Sequence, residues 1–210
     1  MHMRTLFIAA VAALVATSAI AAEKLPWKQN EADITRVEQY LSTLSTIVAD
    51  FSQVDANGGL AEGKFYLKRP GKMRWEYAPP VPLLLVSDGN VIVYYDAELD
   101  QVSYIPVDDT LAGFLAKPVI KLDSASTKLV KFSAEAGMVR ATIIQRDKPD
   151  EGSLTLEFSD KPLQLRQMLV RDARGQQTSI QLQNAVYGKP LPNRMFVFED
   201  PRGINKRRNR

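Results

Sequence analysis

Cysteine is missing from all 210 residues, and the only histidine is His2. The first absence excludes disulfide stapling, so the fold must be held together by packing. It also excludes the lipid attachment that bacterial export performs on a cysteine at the cleavage point. Cysteine–histidine and serine–histidine–aspartate nucleophiles are ruled out together, as is a zinc site built from the usual ligands. No glycine-rich phosphate cradle is present. Asp88, Asp96 and Asp100 could in principle converge as a carboxylate pair, but their spacing is that of solvated turn residues. The expectation is a protein that is not an enzyme, with no catalytic residue, no metal and no cofactor.

Long apolar runs are scarce too. Leu6–Ala16 is an unbroken stretch of 11 residues, whereas a helix that spans a bilayer needs roughly 20. Arg4 before it and Ala19-Ile20-Ala21 after it complete the pattern of a secretory signal peptide. Residues 1–22 are expected to be removed, leaving a single domain over 23–204 and a basic tail over 205–210. An exported chain with no second apolar segment is expected to be soluble, with the periplasm as its compartment.

The formal charge of +3 sits at the ends of the chain. Arg4 leaves with the signal, and Lys206, Arg207, Arg208 and Arg210 belong to the tail. The body between them is slightly acidic. The basic balance is therefore no sign of a nucleic-acid-binding face. The tail reads as solvated, with contact to anionic lipid head groups as the alternative.

What the sequence does have is strand pattern. Runs rich in Val, Ile, Leu, Tyr and Phe lie near 47–54, 63–69, 73–78, 83–87, 90–96 and 100–105. Others lie at 129–134, 138–146, 153–159, 163–172 and 176–186. Short turns such as Ser87-Asp88-Gly89-Asn90, Glu135-Ala136-Gly137 and Arg174-Gly175 join most of them, so successive strands are antiparallel neighbours. Helical spacing marks 31–45, where Ile34, Val37, Leu41 and Leu44 recur behind Asn30 as N-cap. A second, shorter helix is expected over Asp108–Pro118, capped by Asp108 or Asp109, with Leu111, Phe114 and Leu115 on one face. The segment that follows, "VIKLDSASTKL", carries no clear assignment. A mainly β fold (α+β) results: one long antiparallel sheet of about eleven strands that must curl, with two or three helices over its concave face.

The stretch "GKFYLKRPGKMRWEY", 63–77, fixes one face of that sheet. A two-residue loop would mix polar and apolar residues on each face. An odd loop of three or five residues gathers Phe65, Leu67, Met73, Trp75 and Tyr77 on one side. The three-residue version pairs Arg69 with Met73. Arg69 then lies at the turn end of an apolar face. It either snorkels to water or donates to the carbonyls of an overlying helix, since a buried guanidinium needs its donors met. The next hairpin, 83–96, is apolar on both faces. Leu83, Leu85, Ile92 and Tyr94 share one; Leu84, Val86, Val91, Val93 and Tyr95 share the other.

These motifs carry a resemblance. The segments "LSTLSTIVADFSQ" (41–53), 63–77, "LLLVSDGNVIVYYD" (83–96) and "FVFEDPRG" (196–203) together resemble the periplasmic outer-membrane lipoprotein carrier proteins, the LolA family. The resemblance implies an incomplete antiparallel β-barrel of about eleven strands with a helical lid. It also implies a chaperone whose partners are acylated lipoproteins, an inner-membrane lipoprotein-releasing ABC transporter and, where present, an outer-membrane receptor. It makes Arg69 the latch that holds the lid to the barrel. The acyl-chain cavity is assigned by parity to Phe65, Leu67, Met73, Trp75, Tyr77, Leu84, Val86 and Val93. The lid underside is assigned to Leu41, Leu44, Leu111, Phe114 and Leu115. The other reading is a periplasmic regulatory or sensor domain that uses the same curved sheet to bind lipid or a partner.

Overall fold

The computed structural model describes residues 30–107 and 110–202. The expected signal peptide and basic tail lie outside the described residues.

One α-helix, α1 (Glu31–Thr43), opens the fold. Its apolar stripe buries Val37 and Leu41 completely and continues to Leu44, as the 3.6-residue period requires. Asn30 holds the N-cap position, although its side chain makes no capping hydrogen bond; Glu31 and Asp33 supply the favourable charge of the first turn. Eleven strands follow: β1 (Thr46–Val54), β2 (Leu60–Lys68), β3 (Lys72–Tyr77), β4 (Leu83–Asp88), β5 (Val91–Asp96) and β6 (Gln101–Pro106). After an irregular crossing come β7 (Thr127–Glu135), β8 (Met138–Gln145), β9 (Gly152–Ser159), β10 (Gln164–Asp172) and β11 (Gln177–Tyr187).

The strands form a single sheet in the order β6-β5-β4-β3-β2-β1-β11-β10-β9-β8-β7. Every paired neighbour is antiparallel. Two meanders are joined where β1 pairs with β11, and β6 and β7 are left as free edges. Laid flat, eleven strands would span about 48 Å, whereas α1 is only about 20 Å long. Yet both wings feed one core cluster around that helix, with Ile92 of β5 and Leu129 of β7 as members. The sheet must therefore curl around α1.

The expected lid of two to three helices is corrected to one α-helix and a 3₁₀ segment, Leu111–Ala116. Six residues lie between its cap, Thr110, and Lys117, and Pro118 follows, so the segment ends after about two 3₁₀ turns. The Thr110 hydroxyl accepts from the Gly113 N–H at 3.0 Å. A side chain at Gly113 would fall 2.1 Å from the Val107 carbonyl, so glycine lets the segment lie close. Asp108 and Asp109, the caps expected from the sequence, lie outside the described residues. Segment 119–126 contains no helix; it buries Ile120 and Leu122 and leads into β7.

Candidate functional site

The concave face is built by alternation. β2 and β3 pair Phe65 with Trp75 and Leu67 with Met73, leaving Arg69-Pro70-Gly71 as the loop. This is the odd loop that the burial pattern demands, displaced by two residues from the pairing of Arg69 with Met73. The Arg69 N–H donates to the Ser45 carbonyl at 2.9 Å, continuing the β1–β2 ladder by one residue beyond the β2–β3 pairing. Phe65, Leu67 and Met73 are buried, and Trp75 and Tyr77 pack against them. The Trp75 indole lies against Phe65, with centroids 4.1 Å apart, and meets the Phe51 ring edge-on at 5.0 Å.

In the second hairpin the assignment by parity is corrected. β3 pairs with β4 so that Trp75 lies opposite Leu85 and Met73 opposite Ser87. Paired residues share a face, so Leu85, Ile92 and Tyr94 line the concave side. Leu84, Val86 and Val93 point the other way. Val86 is paired with Arg74 and Val93, on the convex face. The chain's own C-terminal segment covers them there. Phe196, Val197 and Phe198 border a cavity of about 230 Å³ with Val86 and Val93, and the Phe198 ring lies 5.7 Å from Tyr95. Lys68 and Arg74 fasten that segment through the Leu191 and Met195 carbonyls, at 2.6 and 3.1 Å. Both faces of the hairpin are apolar because both are covered.

Over the concave face lie α1 and the 3₁₀ segment. Leu41, Leu44, Phe114 and Leu115 are buried in the shared core, with Leu111 packed at its margin. Arg69 joins the two pieces. Its guanidinium donates to the Leu41 carbonyl in the last turn of α1, to the Lys117 carbonyl at 2.5 Å and to the Pro118 carbonyl at 2.9 Å. Carbonyls in a helix's last turn lack intrahelical partners and carry the negative end of the helix dipole, so a cation suits them. Burial pushes the Arg69 pKa down, as expected for a cation taken from water with no carboxylate beside it. Its Nε is buried without a hydrogen-bond partner among the described residues. Each charged bond contributes about 1.5–3 kcal/mol when its partner would otherwise be bare.

Three supports around this arginine were not singled out from the sequence. Ser87, buried on the inward face, donates to the Gly71 carbonyl at 2.9 Å and so braces the loop that carries Arg69. The Gly71 N–H donates to the Ala116 carbonyl at 2.7 Å, holding the 3₁₀ segment to the same loop. Glu38 of α1 accepts the Leu122 N–H at 2.9 Å and pairs with Lys121 at 2.6 Å. A charged residue on the helix's apolar stripe was the available signal for Glu38, and the serine of the S-D-G turn was the signal for Ser87. At the far side Arg36 pairs with Asp160 at 2.6 Å, and Tyr40 accepts the Leu165 N–H at 3.1 Å. The helix is thereby tied to the β9–β10 wing, whereas the 3₁₀ segment is tied to the β2–β3 loop.

Among the described residues no group of His, Cys, Asp and Glu could hold a metal ion. A curled, open antiparallel sheet with a largely apolar concave face, over which an arginine holds α1 and the 3₁₀ segment, is an open half-barrel. The family profile described as outer membrane lipoprotein carrier protein LolA matches residues 42–199. An outer-membrane lipoprotein carrier protein of Chromohalobacter salexigens is 32% identical over 81% of this chain and 84% of its own. One of Pseudomonas paraeruginosa is 30% identical over 97% of both chains. Among solved structures, a LolA superfamily protein from Nitrosomonas europaea aligns over 79% of this chain and 97% of its own, at 8% identity and a TM-score of 0.45. The chain belongs to the LolA family of outer membrane lipoprotein carrier proteins.

Proposed function

We propose that this chain is a periplasmic chaperone for lipoproteins. It accepts the acyl chains of lipoproteins released by an inner-membrane ABC transporter, shields them from water, and delivers them to the outer membrane, through a receptor there where one exists. The carrying observation is the clasp: one arginine holds both covering pieces over a largely apolar face. An acyl chain of about 15 methylenes costs roughly 12 kcal/mol to expose at ~0.8 kcal/mol per CH₂, so unaided transit is negligible. Phe65, Leu67, Met73, Trp75 and Tyr77, with Leu85, Ile92 and Tyr94, would wall the acyl site. Leu41, Leu44, Leu111, Phe114 and Leu115 would exchange contacts with the sheet for contacts with lipid.

In this reading Arg69 sets the balance between an empty, clasped state and a loaded, open one. Regained bonds to carbonyls favour expulsion of the cargo. Arg69→Leu removes them and shifts the balance toward the loaded state, by about tenfold for each 1.4 kcal/mol lost. The test measures transfer of a triacylated lipoprotein from donor to acceptor membranes by the mature protein. The variant is expected to load and then release poorly. Transfer at the unmodified rate would remove Arg69 from the mechanism. Capture of one membrane protein in place of lipoproteins would mark the chain as a sensor instead.

A further inference from the structure

The sheet does not close, and its open side lies between the edges of β6 and β7. Residues 110–126 come between those two strands in the chain, and Leu111–Ala116 of them form the 3₁₀ segment. On the β7 side of the opening, between the 3₁₀ segment and the ends of β7 and β8, lies a cavity of about 510 Å³. Its inner wall is Leu111 and Phe114, residues that also pack into the core over the concave face. Thr110, Lys117, Ser126, Gln145 and Asp147 make the rest of its lining mostly polar, with Ala125 beside them and Thr127 buried behind. An apolar floor continuous with the core and a polar rim at the surface suit an amphiphile whose tail points inward. Across the mouth, the Lys117 ammonium donates to the Ser126 hydroxyl at 2.6 Å, an exposed bond between flexible groups. The backbone of that same Lys117 is held by Arg69 through its carbonyl. Release of the clasp therefore frees the residue that bridges the mouth.

We propose that this opening is the portal through which acyl chains enter and leave, with the glyceryl and peptide end of the lipid-modified cysteine held at the polar rim. Lys117 couples the clasp to the portal: its carbonyl answers to Arg69 and its side chain to Ser126. This rests on the carrier reading and adds the direction in which the cargo lies.

The test uses the full mature protein with Ser126→Cys carrying a small bimane fluorophore. The probe is a synthetic dipalmitoyl lipopeptide with a nitroxide quencher either on the peptide or at the end of one acyl chain. Saturable binding with strong quenching by the peptide-labelled probe, and at least threefold weaker quenching by the chain-end probe, is the expected result. A second site, Gln181→Cys, exposed on β11 at the middle of the sheet and far from the cavity, should show no preference. Saturable binding with the opposite pattern, or equal quenching at both positions, overturns the portal and leaves the carrier reading standing. Absence of saturable binding overturns both. Lys117→Met should speed uptake of the probe severalfold; an unchanged rate would mean that Lys117 does not bridge the mouth.

Discussion

The Cα of Gly89 occupies the space that a side chain on Gly71 would need. A Cβ built on Gly71 falls 2.5 Å from that atom, and Gly71 sits at φ +83°. The two hairpin loops are thus pressed together, and the loop that carries Arg69 is positioned by the S-D-G turn of the next hairpin. Gly71→Ala should cost about 2–4 kcal/mol, combining about 1–2 kcal/mol of left-handed strain with a backbone collision. That corresponds to a fall in Tm of about 5–12 °C for a chain of this size. Gly137, at φ +77° with nothing within 4 Å of a built Cβ, is the control. Its alanine variant should lose only about 1 kcal/mol. Equal losses in calorimetry would show that the Gly71–Gly89 contact carries no weight.

Ser87 makes the same connection through a hydrogen bond. Its hydroxyl is buried, donates to Gly71 and accepts from the Gly89 N–H at 3.3 Å. Ser87→Ala strands the Gly71 carbonyl and should destabilise by about 1–3 kcal/mol. If the serine acts by holding Arg69 in place, its effect and that of Arg69→Leu should overlap. A double-mutant cycle in urea unfolding is expected to give a coupling of at least about 0.5 kcal/mol. Strict additivity would separate the serine from the clasp.

Glu38 and Lys121 form an unequal pair. The Glu38 side chain is 11% exposed, and that of Lys121 is 58% exposed. The weight of the interaction should lie in the bond from the buried Leu122 N–H, not in the ion pair. Glu38→Ala should cost about 1–3 kcal/mol, since it leaves that donor unmet. Glu38→Gln keeps an acceptor and should cost less, and Lys121→Ala should cost under about 1 kcal/mol. Chemical denaturation of the three variants orders them; a large loss at Lys121 would reverse the assignment.

The sheet was legible because period-2 alternation and turn residues are local signals. Phe65, Leu67, Met73, Trp75 and Tyr77 declare a common face by parity alone. That parity survived a register shift of two residues. The facing of β4–β5 was not legible. Leu84, Val86 and Val93 are as apolar as Leu83, Leu85 and Ile92, so alternation offers no choice. The choice is made by the β3–β4 register across a proline-rich connection, and by Phe196 and Phe198, about a hundred residues away, which cover the convex side. The second lid piece was legible as a helical stripe, but its length was not. A 3₁₀ turn and an α-turn both bring Leu111 and Phe114 to one side, so the stripe alone does not distinguish them.

Alkaline pH should test the tightness of the aromatic corner. Burial pushes the Tyr77 phenol up to about 12, and the phenol donates to Gln53 Oε1 at 2.8 Å. Burial raises Tyr40 as well. In the unfolded chain both ionise near pH 10. Between pH 10 and 12 the folded state therefore holds more protons than the unfolded state, and stability falls as pH rises. Below pH 10 both states keep the phenol neutral, so this contribution is constant there. The urea midpoint should hold level as pH approaches 10 and then drop. Tyr77→Phe should drop less steeply over that window than the parent, which removes the shared background of lysine titration from the comparison. Absorbance titration of the same variant should lose one late-ionising phenol. Parallel pH curves for the two proteins would mean that Tyr77 ionises as freely in the fold as in the open chain.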